Sequence, residues 1–312
     1  MKNRIFVIDG SSYLYRAYHA MPPLSTSSGQ PTGAVKGVTN MLMNLKKESD
    51  ESPIVVVFDA KGKTFRNEIY SEYKANRPPM PDELRDQLKP VKDICKAIGF
   101  PLIEIEGVEA DDVIATITRM AKDAQFKCVV SSLDKDLMQL VEDPDTTLMN
   151  TMKNEIFDEA KVFEKFGVKP NQIRDMLALV GDTSDNIPGV PKVGQKTAAK
   201  WLIEYGDLDG IKENAEAIKG VVGDNLRNSL NELDRNVELV SLKEDVDLGF
   251  SFDDLLKFNP NDDELDKLFA ELEFAAANKD KQEAPKKDAK YETVLSENDL
   301  KKWISKINKS KA

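Results

Sequence analysis

The chain has 312 residues, of which 40% are hydrophobic and 32% charged, and its formal net charge is −11. This length allows two ordinary domains, or one large domain with an appendage. No apolar run approaches the ~18 residues of a membrane span, and the N-terminus does not resemble a signal peptide. Two widely spaced cysteines and one histidine argue against disulfide scaffolds, zinc fingers and His-based catalysis. We therefore expect a cytoplasmic globular protein.

Short β-rich runs alternate with amphipathic helical patterns through about residue 150. The predicted strands are Arg4–Ile8, Ile54–Phe58, Leu102–Ile105, Lys127–Ser131 and Thr147–Met149. The predicted helices between them cover roughly 33–47, 82–98 and 109–124. This alternation predicts an α/β domain with a parallel sheet and helices on both faces.

From about residue 158 the pattern is almost entirely helical, with glycine and proline between the helices. Residues 278–290 contain alanine as their only apolar residue type and predict a linker. After it, Tyr291–Leu295 predicts a strand and Ser296–Ile307 a capped helix, which is too little to fold alone. We expect an α/β domain over 1–180, a helical region over 181–277, this linker, and the start of a further domain over 291–312.

Acidic residues follow the predicted strands at the points where the strands end. After the first four strands these are Asp9, Asp59, Glu109, Asp111, Asp112, Asp134 and Asp136, and the helical half adds Asp182 and Asp185. In open parallel sheets, sites form beyond the carboxyl ends of the strands. So many carboxylates at one edge would repel one another unless cations were bound. Two hard divalent cations ~3.5–4 Å apart would remove that conflict and make a phosphoryl-transfer site.

Helix capping is the competing explanation for each acid taken singly. A lone Asp at a strand end is usually a cap or turn residue, and Asp112 alone could complement a helix dipole. We assign Asp145, Asp158 and Asp207 to caps or loops. Capping explains the whole set poorly, so the number and placement of the acids favour a metal cluster.

Five motifs in this chain resemble those of a known family. They are DGSSYLYRAYHA (9–20), VVVFDAKGKTFRNEIYSEYKANRPPMP (55–81), GVEADDVIAT (107–116), DKDLMQLV (134–141) and GDTSDNIPGVPKVGQKTA (181–198). In this order they resemble the 5′-nuclease, or flap endonuclease, family, and within it the N-terminal nuclease domains of bacterial DNA polymerases I. The resemblance implies a PIN-like fold in which the nine acids hold two or three Mg²⁺ ions, with Mn²⁺ able to substitute. Residues 291–307 resemble the opening of the proofreading domain that follows in those polymerases.

The basic segment at about 60–80 reads equally well as a solvated surface when taken alone. The resemblance implies that it forms part of an arch over the metals, in which Lys74 and Arg77 contact the scissile phosphodiester. It also implies that Arg16 is a further phosphate ligand, so that these three cations offset charge in the transition state. Arg66 and Tyr73 would bind DNA, the tyrosine by stacking on a base.

Residues 185–200 predict a helix–hairpin–helix, for which a plain glycine-rich connection is the competing explanation. The resemblance implies that this hairpin grips the duplex backbone without reading sequence, often with a bound K⁺. The residues that would do so are Gly189, Val190, Val193, Gly194, Lys196 and Lys200. The chain departs from the family pattern at Leu133, Lys192 and Gln195, none of which is a ligand position.

We therefore expect a monomeric 5′-3′ exonuclease and 5′-flap endonuclease that uses two metals, without a membrane partner. Its substrates would be branched or 5′-flap duplex DNA and RNA–DNA primer junctions, in replication and repair. One alternative is a PIN-like metal-dependent ribonuclease, against which the hairpin counts. The other is a non-catalytic module that binds branched DNA, which would have lost metal ligands.

Overall fold

The structure is a computed structural model that describes residues 3–151, 153, 155–274, 296, 301, 303 and 304. The chain divides into two compact units, Met1–Phe274 and Ala275–Ala312. In the second unit, Lys301, Trp303 and Ile304 are helical. The predicted linker at 278–290, and nearly all of the predicted further domain, lie outside the described residues.

A six-stranded sheet forms the centre of the first unit, with the strand order β3-β2-β1-β4-β5-β6. Its strands are β1 Arg4–Asp9, β2 Ile54–Val57, β3 Leu102–Ile103, β4 Lys127–Ser131, β5 Thr146–Asn150 and β6 Glu155–Phe157. Strands β1 to β5 pair in parallel, which confirms the predicted sheet, and β6 pairs antiparallel with β5. The three-residue strand β6 was not predicted, because so short a run carries no readable alternation.

Helices cover both faces of the sheet. In the first half they are α1 Gly10–Ala20, α2 Gly33–Glu48, α3 Phe65–Ile69, α4 Asp82–Ile98 and α5 Ala110–Asp123. After β4 come a 3₁₀ helix Asp136–Leu140, α6 Glu159–Phe166, α7 Pro170–Val180, α8 Gln195–Tyr205, α9 Leu208–Glu213, α10 Val221–Val240, α11 Phe252–Leu255 and α12 Asp262–Glu271. A two-stranded hairpin, β7 Gly181–Asp182 and β8 Ile187–Pro188, separates α7 from α8. The helices predicted at 33–47, 82–98 and 109–124 are confirmed as α2, α4 and α5, with ends that differ by at most one residue.

Successive residues of β1 contribute to two hydrophobic cores, one on each face of the sheet. Ile5 and Val7 pack with α5 and the helical half, whereas Phe6 and Ile8 pack with α1, α2, α4 and α12. A strand buried on both faces must be apolar throughout, which explains the continuous run RIFVID. Parallel β1, β2 and β4 end at one edge, and the acids that follow them are delivered there.

Helix α10 joins the helical half to the sheet domain by packing against α7, α3 and β8. Among the described residues, no helix combines the length and the hydropathy needed to span a bilayer.

Candidate metal centre

The centre begins at the carboxyl end of β1, where Asp9 is buried and accepts two hydrogen bonds. Its Oδ1 accepts from the backbone N–H of Ser12, 2.8 Å away, and so caps α1. Its Oδ2 accepts from Ser132 Oγ, also at 2.8 Å. Ser132 Oγ in turn accepts from the backbone N–H of Asp134 at 3.1 Å. This buried serine therefore links the ends of β1 and β4, a role that sequence reasoning missed because serine carries no metal-site signal.

The acid that follows β2 is tied to the start of α5. Asp59 Oδ1 accepts from the backbone N–H of Ala110 at 2.9 Å, and its own N–H donates to Ser11 Oγ at 3.1 Å. The ends of α1, β2 and α5 thus meet around Asp59. Asp111 lies in the first turn of α5, close enough to Asp59 for the two charges to interact.

Charge crowding identifies four of these acids as one group. Burial, together with repulsion from Asp59 and Asp134, raises the pKa of Asp9 to about 6, against hydrogen bonds that lower it. Burial and the charges of Asp134, Asp9 and Asp59 raise the pKa of Asp111 well above its ordinary value. Buried carboxylates this close together repel one another, and a bound cation would relieve that repulsion.

A second group lies where the 3₁₀ helix meets the β7–β8 hairpin. One carboxylate oxygen from each of Asp136, Asp182 and Asp185 lies within 4.8 Å of the others. Burial and repulsion from Asp134 and Asp185 raise the pKa of Asp136 to about 8. Its Oδ1 is buried and accepts no hydrogen bond from any residue that the structure describes. A buried carboxylate with an unpartnered oxygen, close to two further carboxylates, fits a hard divalent cation.

Within this second group, the charge of Asp182 is compensated by Lys135 and Ser184. Lys135 Nζ lies 2.9 Å from its Oδ2, and Ser184 donates to its Oδ1 through the backbone N–H at 2.7 Å and through Oγ at 2.6 Å. Burial would raise the pKa of Asp182, but these hydrogen bonds and the Lys135 charge lower it. Asp182 therefore stays ionised.

Cations of the 60–80 segment reach the centre directly. Lys74 Nζ lies 2.6 Å from Glu109 Oε1 and 3.8 Å from Asp185 Oδ2, and Arg77 pairs with Asp185. Burial would lower the pKa of Lys74, but Glu109 and Asp185 raise it. The ammonium therefore remains charged beside the carboxylates.

Tyr73 does not present its ring to a ligand in this conformation. Its side chain is 4% exposed, and its hydroxyl lies 3.0 Å from Glu109 and 3.1 Å from Asp185. Burial, followed by the charges of Glu109 and Asp185, raises the pKa of its phenol. A ring buried in this way offers no face to a base, so the predicted stacking of Tyr73 would require its side chain to move.

Asp112 and Arg66 are likewise placed away from their predicted roles. Arg66 Nη1 and Nη2 donate to the two oxygens of Asp112 at 2.6 and 2.8 Å, and the two side chains are 2% and 0% exposed. Asp112 also accepts from the backbone N–H groups of Glu109 and Lys243. In this structure the oxygens of Asp112 are occupied by these donors and Arg66 is buried, so neither side chain is placed for its predicted contact with metal or DNA.

Arg16 lies on α1 close enough to Asp9 to feel its charge. Its Nη1 donates to Thr151 Oγ1 at 3.4 Å, and its guanidinium lies 5.4 Å from the Tyr13 ring centroid. Its Nη2 is buried and finds no acceptor in the described part of the chain. Burial lowers the pKa of Arg16. An unsatisfied guanidinium nitrogen at this position suits an anionic ligand.

The predicted helix–hairpin–helix at 185–200 combines a closely packed glycine with exposed lysines. A Cβ on Gly189 would lie 2.0 Å from the Val180 carbonyl oxygen, so only glycine fits there. The N–H groups of Val190 and Val193 donate within the protein and their side chains are buried, so neither residue presents a donor for the predicted DNA contact. Gly194, Lys196 and Lys200 are exposed at the start and along one side of α8.

A parallel α/β sheet with carboxylates gathered at its carboxyl edge, followed by a helical half with a glycine-rich hairpin, defines a PIN-like, resolvase-like protein with a second helical domain. Two family models match this arrangement. The "5'-3' exonuclease, N-terminal resolvase-like domain" matches residues 4–167, and the "5'-3' exonuclease, C-terminal SAM fold" matches residues 168–264. The chain belongs to the 5′-3′ exonuclease family.

Curated relatives include both long and short proteins. DNA polymerase I of Pseudomonas aeruginosa is 44% identical, with 98% of this chain and 36% of that protein covered. The 5′-3′ exonuclease of Aquifex aeolicus is 42% identical, with 88% of this chain and 94% of that protein covered. The chain thus spans about a third of the length of its DNA polymerase I relatives and nearly all of the shorter exonuclease.

Solved structures of phage T5 proteins share the fold. T5 5′-exonuclease with bound divalent zinc ions is 25% identical, with a TM-score of 0.67 and coverage of 86% of this chain and 98% of that one. A T5 flap endonuclease complex with DNA and metal ions is 26% identical, with a TM-score of 0.65 and coverage of 77% and 89%. Both of these T5 structures contain metal ions, which are divalent in the first.

Proposed function

We propose that this protein is a divalent-metal-dependent 5′-3′ exonuclease and 5′-flap endonuclease. It hydrolyses phosphodiester bonds at 5′ ends and flaps of branched duplex DNA and at RNA–DNA primer junctions, in replication and repair in the cytoplasm. The observation that carries this proposal is the group of mutually repelling carboxylates at the carboxyl edge of the sheet, in a chain of the 5′-3′ exonuclease family.

We assign the metal ligands to the two groups of acids described above. They are Asp9, Asp59, Asp111 and Asp134 on one side and Asp136, Asp182 and Asp185 on the other, with Glu109 between the basic segment and the centre. Two bound Mg²⁺ ions, or Mn²⁺ in their place, would supply an activated water nucleophile and stabilisation of the leaving oxygen. The all-oxygen donor set fits hard cations of this kind.

Three cations of the chain would hold the scissile phosphate. Lys74 Nζ already lies between Glu109 and Asp185, so rotation about its side chain can transfer its charge to a phosphate bound beside them. Arg77 and the unsatisfied Nη2 of Arg16 would donate to other oxygens of the same phosphate. Charged donors aimed at the phosphate offset the negative charge that develops in the transition state.

The duplex would bind along α8. Gly194 is the N-cap of that helix, and Lys196 and Lys200 are exposed on it. Free backbone N–H groups and lysines at a helix N-terminus suit phosphate. Phosphate contacts fix position without reading sequence, and we infer that the region from 181 to 277 acts in this way, with K⁺ at the hairpin.

The test is cleavage of a 5′-flap duplex and of its single-stranded control, with and without Mg²⁺. We expect Mg²⁺-dependent release of the flap and little cleavage of the single strand. Asp111→Asn, which keeps the side-chain shape, is the matched inactive control. DNA binding without any metal-dependent cleavage would favour a non-catalytic branch-binding module, and preferential cleavage of single-stranded RNA would favour a PIN-like ribonuclease.

A further inference from the structure

Arg66 and Asp112 form a buried ion pair where three helices meet. Besides its two bonds to Asp112, Arg66 donates through Nε to the Leu239 carbonyl at 2.8 Å and through Nη2 to the Ser241 carbonyl at 2.7 Å. These carbonyls lie at the C-terminal end of α10, where backbone oxygens lack partners within the helix. Arg66, on α3, thus caps α10 while it pairs with α5.

Asp112 fixes the first turn of α5. Its Oδ2 accepts from the backbone N–H of Glu109 at 3.1 Å, which closes a capping box, and its Oδ1 accepts from the N–H of Lys243 at 3.0 Å. Glu109 and Asp111 both lie just before Asp112 in this turn. The pair therefore holds the stretch of backbone that carries these two acids against the end of α10.

The rest of α10 holds the hairpin. Asn236 Nδ2 donates to the Pro188 carbonyl at 2.6 Å and to the Ala178 carbonyl at 3.3 Å, and Asn225 Nδ2 donates to the Pro191 carbonyl at 2.6 Å. Asn236 is 1% exposed, so its two hydrogen bonds are part of the core, whereas the bond of Asn225 lies at the surface. One helix thus contacts the hairpin along its length and the Arg66–Asp112 pair at its end.

We propose that Arg66 and Asp112 are positioning residues that set the distance between the duplex-binding hairpin and the metal centre. They do so by joining the end of α10 to the first turn of α5, without contacting metal or DNA themselves. This inference rests on the proposed function and deepens it. Replacing both members of a buried ion pair with apolar side chains often leaves the stability of the fold unchanged, whereas removing one member destabilises it. A buried pair can therefore serve to fix the position of the elements that it joins.

The test compares Asp112→Asn and Arg66→Lys with the wild-type protein and with Lys196→Ala. The first two remove one charge or the forked geometry, whereas the third removes a proposed phosphate contact. We expect the number of bound Mn²⁺ ions to stay unchanged in Asp112→Asn, with metal affinity lowered by ~10-fold or more, as for other residues that orient ligands. We expect the salt dependence of DNA binding in EDTA to stay unchanged in Arg66→Lys and to fall in Lys196→Ala. Cleavage of the flap duplex should spread to neighbouring positions in both pair variants.

Three results would overturn the inference. The loss of one bound Mn²⁺ in Asp112→Asn would make Asp112 a ligand, and a salt slope lowered by ~0.9 in Arg66→Lys would make Arg66 a phosphate contact. An unchanged cleavage position in both variants would also reject it. If the single variants do not fold, the double variant R66M/D112L replaces the pair with apolar side chains and should fold yet cleave at spread positions. Absence of cleavage by the wild-type protein would instead reject the proposed function. The number of bound Mn²⁺ ions and the salt dependence of DNA binding would then still test whether Asp112 is a ligand and Arg66 a phosphate contact.

Discussion

Asp9 and Asp136 show how strongly the centre is charged. Burial and neighbouring acids raise their pKa values from 3.8 to about 6 and about 8. A carboxyl with a raised pKa binds its proton more tightly in the folded protein than in the unfolded chain. The stability from that proton is fully present below pH 3.8 and is lost as the pH rises through the folded-state pKa. Above pH 8 the metal-free centre is therefore at its least stable.

We predict that stabilisation by Mg²⁺ increases as the pH rises. Metal binds the deprotonated carboxylates, so at low pH it must displace protons, which weakens binding by up to about tenfold for each proton and pH unit. The measurement is the thermal midpoint with and without Mg²⁺ at about pH 5.5 and about pH 8. Asp136→Asn should reduce the difference between the two pH values. An equal Mg²⁺ effect at both would contradict the prediction.

Asp111→Asn and Lys74→Ala should both nearly abolish cleavage but change DNA binding in opposite directions. Asp111 loses a negative charge that faces the phosphates, so binding in EDTA should hold or tighten. The Lys74→Ala variant loses a positive charge near the scissile phosphate, so DNA binding should weaken. If Lys74 acts like one oxyanion donor, transition-state stabilisation should fall by ~2.7–4 kcal/mol and the cleavage rate with it. The measurements are binding titrations in EDTA and single-turnover rates in Mg²⁺. Near wild-type cleavage by Asp111→Asn would reject the carboxylates as the active centre.

Asp111 and Asp112 show where sequence reasoning stops at the residue scale. Both were predicted as ligands because they follow one strand in one motif. Adjacent helix positions point about 100° apart, so one can face the centre while the other points into the core. Which of them does so depends on Arg66, a partner 46 positions away in sequence, and no local pattern carries that information.

At the scale of elements, the sheet could be predicted because its strands are apolar on both faces. β1 and β2 are almost fully buried, so their sequences are nearly continuous apolar runs, and acids lie at or just after their ends. The 60–80 segment could not be predicted in the same way. Its contacts are to distant carbonyls and carboxylates: Asn76 donates to the Thr183 carbonyl at 2.7 Å, and the Lys74 N–H donates to the Asp185 carbonyl at 2.9 Å.

The α8 helix gives a prediction at this scale. Lys196→Ala should weaken duplex binding and lower its salt slope by ~0.9 without moving the cleavage position, because a phosphate contact positions the duplex without reading its sequence. The matched control is Lys47→Ala. Lys47 is an exposed lysine in the last turn of α2, which precedes β2 and lies at the opposite edge of the sheet. Equal slopes in Lys196→Ala and the wild-type protein would leave the hairpin as a plain connection.

At the scale of the whole molecule, an acidic chain can still bind DNA if its charges are separated. Residues 244–274 carry −9 of the net charge of −11. Within this segment, α12 packs through Leu265, Leu268 and Phe269 into the core that contains α1, α2 and α4. Helix α8 packs into the core on the other face of the sheet, through Ala198, Trp201 and Leu202. The sheet thus stands between α12 and the proposed duplex-binding surface, whereas the first part of the acidic segment packs through Leu248 and Leu255 into the same core as α8.

The metal requirement also belongs to the whole molecule, because the proposed ligands come from both halves of the first unit. Asp9 and Asp59 lie at the ends of strands of the sheet, whereas Asp182 and Asp185 belong to the β7–β8 hairpin of the helical half. We predict that Mg²⁺ or Mn²⁺ supports cleavage and that Ca²⁺ supports it poorly, since Ca²⁺ takes bonds of ~2.3–2.6 Å in looser geometry, against ~2.0–2.1 Å for Mg²⁺. The measurement is single-turnover cleavage of a flap duplex in each ion, with binding titrated in parallel. Ca²⁺ should permit binding without efficient turnover, and full cleavage in excess EDTA would reject a metal-dependent reaction.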